Sequence, residues 1–326
     1  MRETTKLEKL TTYFVKADTV ALICHINPDS DTLGSALALR LALKKLGKTV
    51  GVFCDDNPPE RLSFLKDINC INDDCGVKRF ALAAAVDCSD ADRFNVSGKY
   101  FKRAESRVTL DHHKTTRNFA DYTVSVPEAS ATAELVFRII KILESQSGRE
   151  LMDYDIASLI FAGIVGDTGG FAFSNTTGET FLIASSLMEY KIPAHDIFFR
   201  LLRAQSMSRF KLKARVLQKA KFYDDGKIGI VTFTKEDFDE TGTSQEYTEG
   251  VINEIVNIDD VVAAFAITEV NGRSFKVSIR TKAPVDASEL SSVFGGGGHE
   301  RASGCRLSGF YEDVVDKLLK AARDVM

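Results

Sequence analysis

The sequence predicts an α/β protein in which a mostly parallel, doubly wound sheet is joined by a helical linker to a smaller α/β domain. Short apolar runs typical of buried strands alternate with longer helix-forming runs over the first half of the chain. This alternation is typical of parallel sheets that helices cover on both faces. The pattern then changes to a strand, a helix and a β-hairpin marked by Asn271-Gly272. With 326 residues, the chain is long enough for two domains.

We place the first domain at residues 1–190, the linker at 191–215 and the second domain at 216–326. The stretch from 191 to 222 is rich in Arg and Lys and contains few acids. A solvated linker helix is the simpler interpretation. The alternative is that some of these cations face a cleft and attract phosphates.

The first predicted strand, Thr19–Ile23, is followed by a turn that contains three metal-capable side chains, His25, Asp29 and Asp31. A helix-forming run begins directly after this turn. Open α/β sheets bind their ligands at such places, where the carboxyl end of a strand meets a helix. Asp and Pro are also ordinary turn residues. The turn alone therefore leaves a metal site and a plain turn equally open.

Three later apolar elements also end on carboxylate or imidazole side chains. Asp87 ends one run, the triplet Asp111-His112-His113 ends a second, and Asp167 ends a third, where Thr168-Gly169-Gly170 follows. Solvated acids normally scatter along helix faces, whereas these lie at the ends of successive apolar elements. The joint pattern therefore favours a shared metal site over four unrelated turns.

These stretches resemble the four motifs of the DHH phosphoesterase superfamily. The matching residues are His25-Ile-Asn-Pro-Asp-Ser-Asp31, the lone Asp87, Asp111-His112-His113 and Gly166-Asp-Thr-Gly169. Two C-terminal stretches, Ser278-Ile-Arg-Thr-Lys282 and Gly295-Gly-Gly-Gly-His-Glu-Arg-Ala-Ser-Gly304, resemble the accessory DHHA1 domain. Together they are most similar to the branch of nanoRNases and pAp phosphatases. The chain departs from many relatives of this branch at Gly170, where those relatives carry Arg.

The resemblance implies a ligand set for two divalent cations. It assigns one ion to His25, Asp29 and Asp87 and the other to Asp31, Asp87, His112 and Asp167. Asp87 then bridges the two ions. Asp111 is expected to hold the His112 ring through a hydrogen bond. His113 is expected to face the substrate phosphate, as an electrophile or a proton donor.

Four Asp and two His are too many ligands for one closed site, and they suit two ions with open positions for water and substrate. Because the set mixes carboxylates with imidazoles and contains no thiolate, we expect Mn²⁺, while Mg²⁺, Co²⁺ and Zn²⁺ remain possible. The expected chemistry is hydrolysis of a phosphate ester by a water that the two metals activate.

The glycine run is the second candidate site. By itself, a run of glycines favours a flexible surface loop, although its backbone amides can also form an anion-binding concavity. The DHHA1 resemblance implies that this region holds the nucleotide. The substrate-binding residues it implies are Arg280, His299 and the neighbouring Gly297 and Gly298, and we add Arg301 because it follows directly after the glycine run.

Composition limits the partners. A net charge of −4 argues against a protein that coats long nucleic acids, although a short oligonucleotide needs only a local group of cations. No apolar run approaches the ~20 residues of a membrane span. The N-terminal residues lack an apolar signal core. We therefore expect a cytoplasmic protein that does not bind membranes. A homodimer is compatible with the branch, but no residue pattern indicates one.

The leading hypothesis is thus a metal-dependent phosphoesterase acting on short RNA, including dinucleotides such as pApA, on 3′-phosphoadenosine 5′-phosphate (pAp), or on both. A single-strand-specific DNA or RNA exonuclease is the enzymatic alternative. A catalytically silent nucleotide-binding regulator is the alternative outside enzymes, although no ligand position is broken in this sequence.

Overall fold

The computed structural model describes residues 3–73 and 75–326. It divides the chain into two compact units, of which the first ends at Ala204 and the second begins at Gln205. This division falls within the linker predicted at 191–215, while the domain limits given above remain predictions. Among the described helices, none combines the length and the apolarity that a membrane crossing requires.

The first unit contains a sheet of five parallel strands in the order β2-β1-β3-β4-β5. The strands are β1 (Thr19–Ile23), β2 (Thr49–Phe53), β3 (Leu82–Val86), β4 (Ser106–Asp111) and β5 (Tyr122–Ser125). The helices are α1 (Glu3–Lys16), α2 (Ser30–Lys45), α3 (Gly98–Arg103), α4 (Thr132–Ser147), α5 (Tyr154–Asp167), α6 (Gly178–Met188) and α7 (Ala194–Phe198). This arrangement confirms the predicted parallel α/β sheet. The order reverses between β1 and β3, and such a switch point is where open α/β sheets bind ligands.

Both faces of this sheet are buried, and the strands are correspondingly apolar throughout. Val20 and Leu22 of β1 belong to the large core that includes α2, α4 and α5. Ala21 and Ile23 of the same strand point the other way, into a smaller core that includes Phe101 of α3. The alternation follows from the two-residue period of a strand.

Glycines allow α2 and α5 to pack closely. A Cβ atom on Gly34 of α2 would lie 2.5 Å from the carbonyl oxygen of Leu159 in α5. A Cβ atom on Gly163 of α5 would lie 2.7 Å from Ala133 Cβ and 2.9 Å from Asp31 Oδ1. Because Asp31 lies in the first turn of α2 and Asp167 ends α5, the close approach of these helices also brings two candidate metal ligands toward each other.

The second unit contains a six-stranded mixed sheet in the order β10-β11-β9-β8-β7-β6. Its strands are β6 (Lys221–Tyr223), β7 (Ile228–Phe233), β8 (Ala263–Asn271), β9 (Ser274–Thr281), β10 (Gly297–His299) and β11 (Ala302–Ser308). Its helices are α8 (Met207–Gln218), α9 (Lys235–Thr241), α10 (Val251–Val256), α11 (Ala287–Ser292) and α12 (Tyr311–Val325). The β8–β9 hairpin confirms the turn predicted at Asn271-Gly272, and the whole unit confirms the smaller α/β domain.

Several cations of the basic stretch bind neighbouring acids. Arg215 and Lys219 both contact the buried carboxylate of Asp237, and Lys213 contacts Glu254. These ion pairs lie within the second unit. They support the interpretation of this stretch as a solvated helix whose charges are locally balanced.

The packing of α2 on α5 yields a stability prediction. Gly34→Ala should lower the free energy of unfolding by about 1–3 kcal/mol, because the new methyl group would press against a backbone carbonyl that cannot rotate away. Gly178→Ala is the matched control, since a Cβ atom there meets nothing within 4 Å. The control should change stability by no more than about 0.5 kcal/mol. Denaturant unfolding of both variants is the measurement. Equal stabilities would contradict the close approach of the two helices.

Candidate metal centre

The predicted ligands converge at the carboxyl edge of the parallel sheet. His25 follows β1, Asp87 follows β3 and His112 follows β4, and these strands are neighbours. Asp31 lies in the first turn of α2, and Asp167 is the last residue of α5. Parallel strands end at one edge, so the topology alone brings these positions together.

The side chains form overlapping groups whose nitrogen and oxygen atoms lie within 4.8 Å of one another. The groups are His25 with Asp29 and Asp87; Asp31 with His112 and Asp167; and Asp87 with His112 and His113. His25 Nε2 lies 3.5 Å from Asp87 Oδ2 and 4.0 Å from Asp29 Oδ2. His112 Nε2 lies 3.0 Å from Asp167 Oδ2, 3.7 Å from Asp87 Oδ1 and 3.9 Å from Asp31 Oδ2. All six predicted ligands therefore share one cluster, with Asp87 at its centre.

Asp87 is buried, and its backbone has a conformation that residues other than glycine rarely adopt. Its φ is +57°, in the left-handed region. Its Oδ2 accepts a hydrogen bond from the Thr32 hydroxyl at 2.6 Å, and its Oδ1 accepts one from the Thr132 hydroxyl at 2.9 Å. Burial alone would raise the pKa of Asp87, but the nearby His25, His112 and His113 rings and the Thr32 hydroxyl lower it to about 2.

Asp31 caps a helix that is distant in sequence. Its Oδ2 accepts the Thr132 N–H at 2.7 Å and its Oδ1 accepts the Ala133 N–H at 2.9 Å, both at the start of α4. The residue before α4, Ala131, has no side chain able to cap. Complete burial and the charges of Asp87 and Asp167 raise the pKa of Asp31 well above its ordinary value.

The DHH triplet differs from expectation in one contact. Asp111 was expected to hold the His112 ring, but its Oδ1 instead lies 2.7 Å from His113 Nδ1. Asp111 Oδ2 accepts a hydrogen bond from Thr116. The His112 ring is held by the Ala129 carbonyl, 3.2 Å from Nδ1. The reason is geometric: the Asp111 side chain is fully buried and turns toward His113.

The two candidate imidazole ligands have the orientation that metal binding requires. His25 Nδ1 lies 2.7 Å from the Ile26 carbonyl, and His112 Nδ1 faces the Ala129 carbonyl. A proton held at Nδ1 by a carbonyl would leave the Nε2 lone pair to a cation once the second ring proton is lost, and both Nε2 atoms point at carboxylates. The residues present therefore fit one or more divalent cations.

The pKa shifts of the clustered side chains indicate that the cluster needs positive charge. Burial lowers the pKa of His112, but its hydrogen bond to Asp167 and the charges of Asp31 and Asp87 raise it to about 10. Burial raises the pKa of Asp167 to about 6, although its contact with His112 opposes this. Protons on such groups partly offset the repulsion among the buried carboxylates. A bound cation would replace those protons.

The loop after Asp167 gives a reason for the unusual residue at position 170. Gly170 has φ of +70°, and a Cβ atom there would lie 2.7 Å from Leu202 Cδ1. Phe171, which follows, also has positive φ, at +68°. An Arg at position 170 would be strained in this loop, so the glycine is consistent with the local backbone.

The predicted substrate-binding residues lie in the second unit. Arg280 of β9 pairs with Ala302 of β11, which in turn pairs with His299 of β10. The guanidinium of Arg280 is half-buried, and burial lowers its pKa. Gly297 and Gly298 belong to the same edge strand, β10. Both guanidiniums make contacts within the unit: that of Arg280 donates to the Ile279 carbonyl at 3.0 Å, and that of Arg301 donates to the Val285 carbonyl at 2.8 Å and also contacts the Glu300 carboxylate.

Three polar residues around the metal centre were not predicted. Thr32 directly follows the first motif, beside the predicted ligand Asp31, so its position was open to recognition. Thr132 lies outside every motif and gives no local signal. Arg93, whose Nη2 lies 3.1 Å from His25 Nδ1, is likewise found only through the fold.

Metal binding is testable by thermal unfolding. Mn²⁺ at about 100 times its Kd should raise the Tm of chelator-treated protein by about 5–10 °C, because it binds the folded state. Asp167→Asn should reduce this increase, since it removes a charge beside His112. Asp121→Asn is the control: it changes an exposed carboxylate paired with Arg107 and should leave the increase in Tm unchanged. The increase should also shrink as the pH falls through about 6, because Asp167 then takes up a proton while His112 already carries one, and both protons compete with the cation. An equal increase in wild type and Asp167→Asn would contradict the assignment.

Comparisons with known proteins agree with this architecture. The family model for the DHH family, N-terminal domain, matches residues 19–164, and the model for the DHHA1 domain matches residues 226–326. The chain is 31% identical over 310 residues to the bifunctional oligoribonuclease and PAP phosphatase NrnA of Thermus thermophilus, covering 94% of this chain and 89% of the relative. It is 26% identical over 303 residues to the protein of the same name from Bacillus subtilis, covering 93% of each chain.

A solved structure gives the same result at the level of the fold. The crystal structure of an exopolyphosphatase-related protein from Bacteroides fragilis superposes with a TM-score of 0.89 at 27% identity, covering 98% of this chain and 96% of the other. The sequence motifs and both family models match, and the Thermus relative aligns over nearly the whole chain. This chain therefore belongs to the DHH family, in the group that carries a C-terminal DHHA1 domain.

Proposed function

We propose that this protein is a metal-dependent phosphoesterase that hydrolyses short RNA oligonucleotides, including dinucleotides such as pApA, and pAp. The observation that carries the proposal is the cluster of six ligands at the switch point of the sheet, in which Asp87 lies between His25 and His112. The names of the Thermus and Bacillus relatives, oligoribonuclease and PAP phosphatase, support the substrate class.

We further propose that the cluster holds two divalent cations, with Mn²⁺ as the first choice. His25 and Asp29 would serve one ion, and Asp31, His112 and Asp167 the other, with Asp87 shared. The mixture of carboxylate and imidazole donors supports Mn²⁺, and Mg²⁺, Co²⁺ and Zn²⁺ remain compatible with it. When bound, such ions lower the pKa of a water ligand and neutralise charge on a phosphoryl group.

His113 and Asp111 complete the reacting side of the site in this proposal. The hydrogen bond to Asp111 raises the pKa of His113 and orients its ring. With Nδ1 engaged by the carboxylate, Nε2 is the atom that can donate a proton to the leaving oxygen or a hydrogen bond to the phosphate. Asp111 therefore acts on the reaction through His113 rather than through His112.

The second unit supplies the nucleotide anchor in this proposal. Arg280 suits a phosphate group because a guanidinium can bind phosphate bidentately. His299 lies two strands away in the same sheet, and Ala302 pairs with both residues. Gly297 and Gly298 leave the edge strand open to a ligand. Arg301 is already engaged by Val285 and Glu300, so its contribution to binding is the weaker part of the assignment.

Asp87→Asn should abolish hydrolysis of a labelled RNA dinucleotide in the presence of Mn²⁺ while the protein stays folded. The reason is that Asp87 lies in one group with His25 and Asp29 and in another with His112, so its loss would affect both proposed ions. Asp121→Asn is the matched control and should keep wild-type turnover. Release of mononucleotides is the measurement. Turnover by Asp87→Asn within about tenfold of wild type would contradict the shared-ligand assignment.

The same assay separates the alternatives when it is repeated with pAp, pApA, pyrophosphate and a longer single-stranded DNA. Preference for the longer DNA would favour the single-strand exonuclease. Binding of nucleotides without hydrolysis of any substrate would favour the silent regulator. Preference for the dinucleotides and pAp is the result that the proposal expects.

Arg280→Ala should raise KM by about tenfold and change kcat much less, because the lost contact is to a bound phosphate and not to the reacting one. Lys320→Gln, an exposed cation on α12 of the same unit, is the control for the change in charge. Steady-state kinetics on an RNA dinucleotide measure both constants. A loss of kcat at unchanged KM would show that Arg280 has no anchoring role.

A further inference from the structure

Two threonine hydroxyls bind the shared carboxylate from opposite sides. Thr32 donates to Asp87 Oδ2 at 2.6 Å, and Thr132 donates to Asp87 Oδ1 at 2.9 Å. Both threonines are fully buried, and Asp87 is nearly so. Each oxygen of Asp87 therefore has a protein donor before any metal binds, and each keeps a further lone pair.

Thr132 contacts a second ligand at the same time. Its backbone N–H donates to Asp31 Oδ2 at 2.7 Å, while its hydroxyl serves Asp87. One residue at the start of α4 thus contacts two carboxylates, of which one directly follows β3 and the other lies in the first turn of α2. Thr32 is anchored similarly, because its N–H donates to Asp29 Oδ1 at 3.0 Å.

The orientation of the Asp87 carboxylate is not fixed by its own backbone. The terminal torsion of an Asp side chain is broad, so an unrestrained carboxylate would turn freely about it. The two threonines restrict this rotation, and their β-branched side chains have few rotamers of their own. In the observed orientation, Oδ2 lies 3.5 Å from His25 Nε2 and Oδ1 lies 3.7 Å from His112 Nε2. Each oxygen thus faces a different ligand group.

From these contacts we propose that Thr32 and Thr132 are positioning residues that orient the Asp87 carboxylate so that it serves both metal-binding groups at once. We call the pair the threonine clamp. The proposal rests on the metal-dependent function proposed above. The clamp holds a preformed geometry, so a cation need not reorganise the carboxylate when it binds, and loss of either hydroxyl weakens binding.

The test uses threonine-to-valine changes, which keep the shape and the backbone N–H but remove the hydroxyl. In chelator-treated protein, Thr132→Val should raise the Kd for Mn²⁺, measured by calorimetry, by about 10–100-fold. Thr132→Ser keeps a hydroxyl and should bind within about threefold of wild type. Excess Mn²⁺ should restore part of the kcat of Thr132→Val, because the defect lies in metal binding.

Thr109→Val is the matched control. Thr109 is fully buried in β4 of the same unit, and in the described part of the chain its hydroxyl has no hydrogen-bond partner. Its replacement should leave the Kd for Mn²⁺ unchanged. A general effect of losing a buried hydroxyl would appear in this variant as well and would overturn the proposal.

Thr32→Val keeps the test valid if Thr132→Val does not fold, since it removes the other hydroxyl of the clamp and changes no residue of α4. Wild-type Kd for Mn²⁺ in folded Thr32→Val and Thr132→Val would overturn the clamp, as would equal defects in Thr132→Ser and Thr132→Val. These outcomes differ from failure of the proposed function. In that case the wild-type protein would bind Mn²⁺ but hydrolyse none of the substrates, and the effect of the threonines on Kd would still be measured.

Discussion

The burial of several carboxylates in one small volume is the constraint around which the first unit is built. Asp31, Asp87 and Asp111 are almost completely inaccessible to water, and such groups are stable only when donors surround them. The protein supplies those donors from helix starts, threonine hydroxyls and histidine rings. The sheet topology, the glycine contacts between α2 and α5 and the position of α4 all serve to bring these donors to the carboxylates.

The donors are of two kinds, and the difference explains how the site combines rigidity with chemistry. Backbone N–H groups and hydroxyls, which cannot be displaced as protons are, bind the carboxylates of Asp31 and Asp87. The imidazoles of His25 and His112 face the carboxylates from inside, where protons and metal ions compete. The hydroxyl and N–H contacts thus orient the carboxylates, and the imidazole contacts are the ones that a cation would replace.

Sequence reasoning recovered the fold class, the family and the side chains that meet at the sheet edge, because each of these leaves a local signal. An apolar run that ends on Asp or His is visible without a structure, and parallel strands necessarily end together. The partner of the His113 ring and the contacts of Thr132 were not recoverable. They depend on which way a buried side chain turns and on the docking of α4 against residues about 100 positions earlier, and no pattern in the sequence encodes either.

The cap on α4 has a consequence for how this protein folds. Most helices carry the acceptor for their first amides within the same few residues, and so can begin to form alone. Here that acceptor belongs to Asp31, so the first turn of α4 gains its cap only after α2 has docked beside it. Amide protons at positions 132 and 133 should therefore report on the docking of α2 against α4, and a chain in which these amides exchange slowly has already brought Asp31 to the start of α4.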